Sequence, residues 1–328
     1  MRRRDVLTLI GTAVLVPPQA GIAQTTPRIH RVGVLIAAAP LTDAHPFGAA
    51  LINALTQHGY TRGHNLAIEY RGANGRIENL TGLVEELSRS KIDVILAIGY
   101  PAALALKTAT NLPVVAFGTG DPVGTGLVDS LARPGGHITG ISDMSAELSP
   151  KRLQILKELM PELRRVAMLW NASDPGMTLR YRTSEAAART LGITVEPHGV
   201  RAPADFDPAL ATMFASKPDA IVVVNDGLTM GQRRNVFDLA NANQLPALYE
   251  ENEMAVRDGG LMSYGPDLVE SFDRIAALID RILKGAKPAE LPFEQPTRFR
   301  FVINGQTAKA LGLTIPPSIL LRADEVIE

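Results

Sequence analysis

The chain has 328 residues, 46% hydrophobic and 20% charged, with a formal net charge of −1. That is enough for two domains of ordinary size, too apolar for disorder to dominate, and too near neutral to make an electrostatic case for nucleic acid. With no cysteine, disulfides, thiolate nucleophiles, cysteine-based zinc sites and a lipid anchor on an N-terminal cysteine are excluded.

The N-terminus opens with Arg2-Arg3-Arg4, followed by a mostly apolar run from Val6 to Val16 and small residues at Gly21-Ile22-Ala23. The run is shorter than the roughly 20 residues needed to span a bilayer. Residues 1–24 therefore read as a cleaved export signal, not as structure. Arg3-Arg4 before apolar residues fits a twin-arginine signal as well as a plain basic one. The location expected is the periplasm.

Val32–Ile36 is a β-branched apolar run of the kind a buried parallel strand shows. Phe47–His58 has helical spacing and closes on Gly59. A strand is predicted over 65–70, a helix over 77–90, a strand over 93–98, a helix over 101–110 that has proline in its first turn, and a strand over 114–117. The turn Arg133-Pro134-Gly135-Gly136-His137 precedes a strand over 138–142. A helix from about Pro150 to Leu159 opens the second half. Its strands are expected over 166–170, 194–197, 220–225 and 247–249, and its helices over about 177–191, 208–214 and 230–243. Asp258-Gly259-Gly260 then leads into another strand, so each half is expected to end in a Gly-Gly turn and an edge strand. An amphipathic helix over 268–283 and a strand over 297–303 complete the chain.

The two halves repeat each other. Arg31-Val32-Gly33-Val34-Leu35-Ile36 is answered by Arg165-Val166-Ala167-Met168-Leu169-Trp170, Asp93-Val94-Ile95 by Asp219-Ala220-Ile221, and Leu112-Pro113-Val114 by Leu245-Pro246-Ala247. Alternating strands and helices with short connections imply parallel sheets covered on both faces. The fold class read from this is α/β, with two doubly wound parallel-sheet lobes joined by a multi-strand hinge. Lobe one takes residues 25–142 plus about 266–296. Lobe two takes 143–265 plus about 297–328. No Gly/Ser-rich linker separates them.

Ligands of parallel α/β sheets bind beyond the C-terminal ends of the strands. The strand ends here carry Ala38, Tyr100, Thr119 and Asp121 in lobe one. In lobe two they carry Trp170, Asn171, Asn225, Asp226, Tyr249, Ser263 and Tyr264. Aromatic faces beside Asn, Asp, Ser and Thr suit a small polar solute with an apolar part. Each residue also has a plainer role open to it. Trp170 ends a buried strand and fits a core, Tyr264 fits an interface or hinge, Asp174 and Asp226 fit helix caps, and Asp121 before Pro122 fits a turn. Gly118-Thr119-Gly120-Asp121-Pro122-Val123-Gly124 lacks the dinucleotide spacing. The six histidines show no metal-binding spacing, and no Gly-x-Ser-x-Gly elbow occurs. No catalytic residue, metal or cofactor is expected.

Several segments carry a family likeness from about Arg31 to Glu328. They are His45-Pro46, Asp121-Pro122-Val123-Gly124, Leu131-Ala132-Arg133-Pro134-Gly135-Gly136, Gly260-Leu261-Met262-Ser263-Tyr264-Gly265 and the closing Pro316-Pro317-Ser318-Ile319-Leu320-Leu321-Arg322-Ala323-Asp324-Glu325-Val326-Ile327. With them the chain resembles the substrate-binding proteins of bacterial ABC importers, in the branch associated with tryptophan and tyrosine uptake. The resemblance implies a type I periplasmic-binding fold, a small-molecule solute in the interlobe cleft, and delivery to a membrane permease with a cytoplasmic ATPase. It places ligand contacts at the strand ends named above. The loops Ala37-Ala38-Ala39-Pro40 and Gly99-Tyr100-Pro101 depart from members that grip amino acids with hydroxyl residues there, which weighs against an amino acid as cargo. A monomer without enzymatic activity is expected. The competing classes are a ligand-sensing regulator, which needs a DNA-binding headpiece, and a cleft enzyme.

Overall fold

The computed structural model describes residues 28–250 and 253–328. The export signal expected over 1–24 lies outside these residues. The first half of the chain builds β1 (His30–Ile36), α1 (Pro46–Gln57), β2 (Leu66–Gly72), α2 (Leu80–Arg89), β3 (Val94–Ile98), α3 (Tyr100–Ala109), β4 (Val114–Phe117) and β5 (Ile138–Ile141). These strands form a five-stranded sheet in the order β2-β1-β3-β4-β5, with every pairing parallel.

The second half builds α4 (Ser145–Leu159), β6 (Arg165–Asn171), α5 (Pro175–Thr190), β7 (Thr194–Val200), α6 (Phe206–Ser216) and β8 (Ala220–Val223). It continues through α7 (Gly227–Gly231), α8 (Arg233–Ala242), β9 (Ala247–Glu250), α9 (Glu253–Arg257) and β10 (Met262–Pro266). After α10 (Leu268–Leu283), the chain adds β11 (Phe299–Asn304), two short helices and β12 (Glu325–Ile327). The second sheet has seven strands in the order β12-β11-β10-β9-β8-β6-β7. Its β7-β6-β8-β9-β10 portion repeats the order of the first sheet, as the sequence duplication requires.

The repeat extends to a side-chain contact. The Asp93 carboxylate accepts the Arg31 backbone N–H at 2.8 Å, and the Asp219 carboxylate accepts the Arg165 backbone N–H at 2.8 Å. Each aspartate sits just before the strand that pairs with the lobe's first strand, so it anchors the register of that pair. Both faces of each sheet are covered. α1 and α10 cover one face of the first sheet, through residues such as Leu51, Phe272, Ile275 and Ile279. α2 and α3 cover the other, through Val84, Leu87, Ala103 and Leu106. In the second sheet the two cores gather Leu153, Leu156 and Met177 on one face, and Phe206, Leu210 and Phe237 on the other.

Three expectations are corrected. β10 is not an edge strand, because β11 returns to pair with it antiparallel and β12 extends the sheet further. α4 starts at Ser145, ahead of Pro150. The helix expected over 230–243 is two helices, α7 and α8, meeting at Gln232. Among the described residues the chain passes between the sheets at three places, around 142–144, 266–267 and 295–298.

Candidate functional site

In lobe one the loop after β1 is held rigidly. A Cβ on Gly72 would lie 2.2 Å from Pro40 N and 2.6 Å from Ala38 O, so only glycine lets β2 and this loop approach. The N–H groups of Asn74 and Gly75 donate to the carbonyls of Ala38 and Ala37 at 3.0 and 2.8 Å. Tyr100 opens α3; it is buried and its hydroxyl donates to Thr125 O at 3.1 Å. Thr119 follows β4, is fully buried, and its hydroxyl meets no hydrogen-bond partner among the described residues. Asp121 turns its carboxylate onto its own turn, accepting the N–H groups of Val123 and Gly124 at 3.1 and 2.8 Å.

In lobe two the ends of β6 and β8 carry a linked set. Asp174 caps α5, accepting the N–H groups of Gly176 and Met177 at 2.8 and 3.3 Å. Asp226, next to Asn225, caps α7, accepting those of Leu228 and Thr229 at 3.1 and 2.9 Å. The Asn171 amide donates to Asp226 Oδ2 at 2.7 Å, and the Asp174 N–H donates to Asn171 O at 3.2 Å. Burial, and then the charge of Asp226, pushes the Asp174 carboxyl up to about 6, and burial raises Asp226 as well.

These two ends meet lobe one. A Cβ on Gly227 would fall 2.8 Å from the Ala38 Cβ, and one on Gly176 would fall 3.4 Å from Thr119 O and 3.8 Å from the Tyr100 Cβ. The lobes are therefore in contact across the cleft. His45 at the start of α1 feels Arg233 of α8 across the same gap; burial and then that charge lower its pKa. At one mouth of the cleft lies an open groove of about 540 Å³, lined by Tyr100 and Thr125 of lobe one and by Ser173, Pro175, Thr178 and Arg182 of lobe two.

The structure thus brings Ala38, Tyr100 and Thr119 together with Asn171 and Asp226, and with Asp174, which the sequence offered as a helix cap. It turns other candidates away. The Trp170 ring stacks on Tyr181 at 4.2 Å and donates its indole N–H to Thr178. The Tyr249 ring packs on Phe237 at 4.9 Å inside lobe two. Ser263 is paired with Tyr249 in register and is equally buried. Tyr264 lies against Phe299 and Phe301.

Four charged residues that the strand-end survey did not select form the floor beneath this contact. Arg180 of α5 donates to Asp143 Oδ2 at 2.5 Å and to Glu250 Oε2 at 3.2 Å. Arg152 of α4 lies 3.1 Å from Glu250 Oε1 and donates to Tyr264 O at 2.8 Å and Ser145 O at 2.9 Å. All four side chains are about 1% exposed. Among the described residues the cluster sets two positive groups against two negative ones, which offsets part of the cost of burying them. The sequence carries a sign of it: Arg180 lies on the buried stripe Met177, Arg180, Ser184, Ala188 of α5, and Arg152 on the stripe Ser145, Ser149, Arg152, Leu156 of α4. An arginine at helical spacing within a buried face needs carboxylate partners. By contrast Asp174 and Asp226 accept no hydrogen bond from a cation among the described residues.

A family model described as ABC transporter substrate binding protein matches residues 44–327. A tyrosine-binding protein of Clostridioides difficile (strain R20291) is 27% identical over 263 residues, which is 80% of this chain and 75% of that protein. Among solved structures, a conserved domain protein from Vibrio cholerae O1 biovar El Tor superposes with a TM-score of 0.84 at 26% identity, covering 91% of this chain and 100% of that one. An ABC domain from Streptococcus pneumoniae in complex with L-Trp superposes with a TM-score of 0.81 at 28% identity, again covering 91% and 100%.

Proposed function

Because the chain belongs to the ABC transporter substrate binding protein family, we propose that its interlobe cleft captures a small solute carrying a cationic amino group and delivers it unaltered to a membrane permease. One observation carries the choice of solute class. Asp174 and Asp226 are two buried carboxylates at the cleft contact, each capped by backbone N–H groups and neither hydrogen-bonded to a cation among the described residues, although the Arg180 charge partly offsets that of Asp174. Their raised pKa values mark the cost of holding both charges out of water. An ammonium group between them offsets that cost, and the gain is largest in a closed cleft where water is excluded. Tyr100 and Ala38 supply an apolar wall opposite, and the Thr119 hydroxyl supplies one more polar contact. The names of the tyrosine-binding relative and of the L-Trp complex make aromatic amino acids the first compounds to test.

Proteins of this class work outside the cytoplasm, and no described helix is long and apolar enough to cross a membrane. The proposed route is export by the cleaved signal over 1–24, followed by action as a periplasmic monomer. The proposed partners are an ABC permease and its ATPase, with no role for nucleic acid. The proposed lobes are 25–142 with about 266–296, and 143–265 with about 297–328. The test is thermal unfolding of the periplasmic protein, whose mass should lack residues 1–24, with L-tyrosine, L-tryptophan and their N-acetyl derivatives. A ligand that binds only the folded form stabilises it by about 2.7 kcal/mol at 100 times its Kd. We expect the melting temperature to rise with a free amine and to stay put with the acetylated form. Equal shifts for both, or none across a panel of small amines, would refute the assignment.

A further inference from the structure

We infer that Arg180 is a positioning residue that ties the ligand side of α5 to the interlobe hinge through Asp143, and so sets how far the cleft rests closed. The inference builds on the reading of the cleft as a solute site. α5 carries Asp174 at its N-cap, against lobe one, and Arg180 further along the same helix. Arg180 grips Asp143, which lies in the first crossing between the lobes, and Glu250, at the end of β9. A push on the start of α5 therefore reaches the crossing through one rigid helix and one buried ion pair.

The bonds around the crossing show where it bends. Ser142 is fastened to lobe one and the passing third crossing: its N–H donates to Glu294 O at 2.9 Å and its hydroxyl to Gly120 O at 3.1 Å. Asp143 is fastened to lobe two: its carboxylate accepts the Ser145 N–H at 3.0 Å and the Arg180 guanidinium at 2.5 Å. Among the described residues its hydrogen bond to lobe one comes from the Gly120 N–H, at a longer 3.4 Å. Met144 follows with φ of 50°, a left-handed backbone that non-glycine residues adopt only where the surroundings hold it. The pivot is the Ser142–Asp143 link, and the Arg180 pair fixes its lobe-two side. Arg152 then joins this crossing to the second one, since it donates to both Ser145 O and Tyr264 O. Lobe one roofs the pair with Gly118 and Gly120, whose added Cβ atoms would come within 4.0 Å of Asp143 Oδ2 and Arg180 Nε respectively.

The chain has no native cysteine, so spin labels can be placed at Gln57→Cys on lobe one and Ala211→Cys on lobe two, both exposed. Interlobe distances are then measured by pulsed electron resonance without any solute, in the wild-type background and with Asp143→Asn or Arg180→Lys. Arg180→Lys keeps the charge and loses the two-pronged fork; Asp143→Asn keeps the shape and loses the charge. Each should lower the closed-to-open ratio by about tenfold, within the usual span of coupling between sites, and the double variant should add little. Ile303→Val, in the lobe-two core, should lower stability and leave the distances alone, which separates positioning from mere destabilisation. Wild-type distances in either folded variant, or opening in only one of them, would overturn the inference. Because no solute is present, this outcome is independent of whether any amine binds.

Discussion

Asp174 has a carboxyl titrating near 6 in the folded chain against 3.8 for the free group. Between those values the folded state holds more protons than the unfolded one, so stability falls as pH rises from about 4 to about 6. Two units correspond to about 3 kcal/mol. Asparagine caps a helix as well as aspartate does. We therefore expect Asp174→Asn to flatten this slope in urea unfolding of the solute-free protein, leaving the share that Asp226 contributes, and to be more stable than wild type at pH 7, while binding amines more weakly. An unchanged slope would remove Asp174 from the site's electrostatics. The sequence pointed to this residue, to Asn171 and to Asp226 as strand-end groups, and Asp174 and Asp226 do cap helices as their plainer role required. It could not separate the residues that face the cleft from those that face a helix. Side chains alternate along a strand, so one residue of uncertainty in a strand's end reverses the face. Tyr249 and its neighbour Glu250 show the consequence: the tyrosine enters the core and the glutamate joins the floor network.

The amphipathic pattern of α10 was plain, with Phe272, Ile275 and Ile279 on one buried face. Periodicity says that such a face must be covered but not by what. The structure sets it on the first sheet beside α1, where the Phe272 ring meets Phe47 at 5.6 Å and Phe117 at 5.7 Å. A helix from the far end of the sequence thus completes the core of lobe one. Phe272→Ala should cost about 3–5 kcal/mol in urea unfolding, and a loss under about 1 kcal/mol would mean that α10 is peripheral to that core. The start of α4 was less legible. Proline suits the first turn of a helix, which favoured Pro150, yet the helix begins earlier. The Ser145 N–H donates to the carboxylate of Asp143, two residues ahead, a local turn signal that the proline outweighed in the sequence reading. The pairing of β11 with β10 was hidden for a different reason, because the partner lies more than thirty residues away in the chain.

At the scale of the molecule the duplicated sheets matter through the few places where they touch. Ala38 and Gly227 form one of them, and neither side can yield easily. The Ala38 loop is pinned by the close approach of Gly72 and by the bonds from Asn74 and Gly75, and Gly227 is held by the Asp226 cap that begins α7. A methyl group on Gly227 would sit 2.8 Å from the Ala38 Cβ and 3.1 Å from Ala38 N, so the lobes must part to admit it. Alanine is a good helix former at such a position, and the fold of each lobe should be unaffected. Gly227→Ala should therefore act as a wedge, shifting the interlobe distance outward and weakening solute binding by about tenfold, or about 1.4 kcal/mol, with little change in solute-free stability. Adding Ala38→Gly removes the closer of the two clashes and leaves the backbone one, so it should restore part of the affinity. If Gly227→Ala binds and closes as the wild type does, closure does not bring these residues together, and the contact between the lobes must be made elsewhere along the cleft.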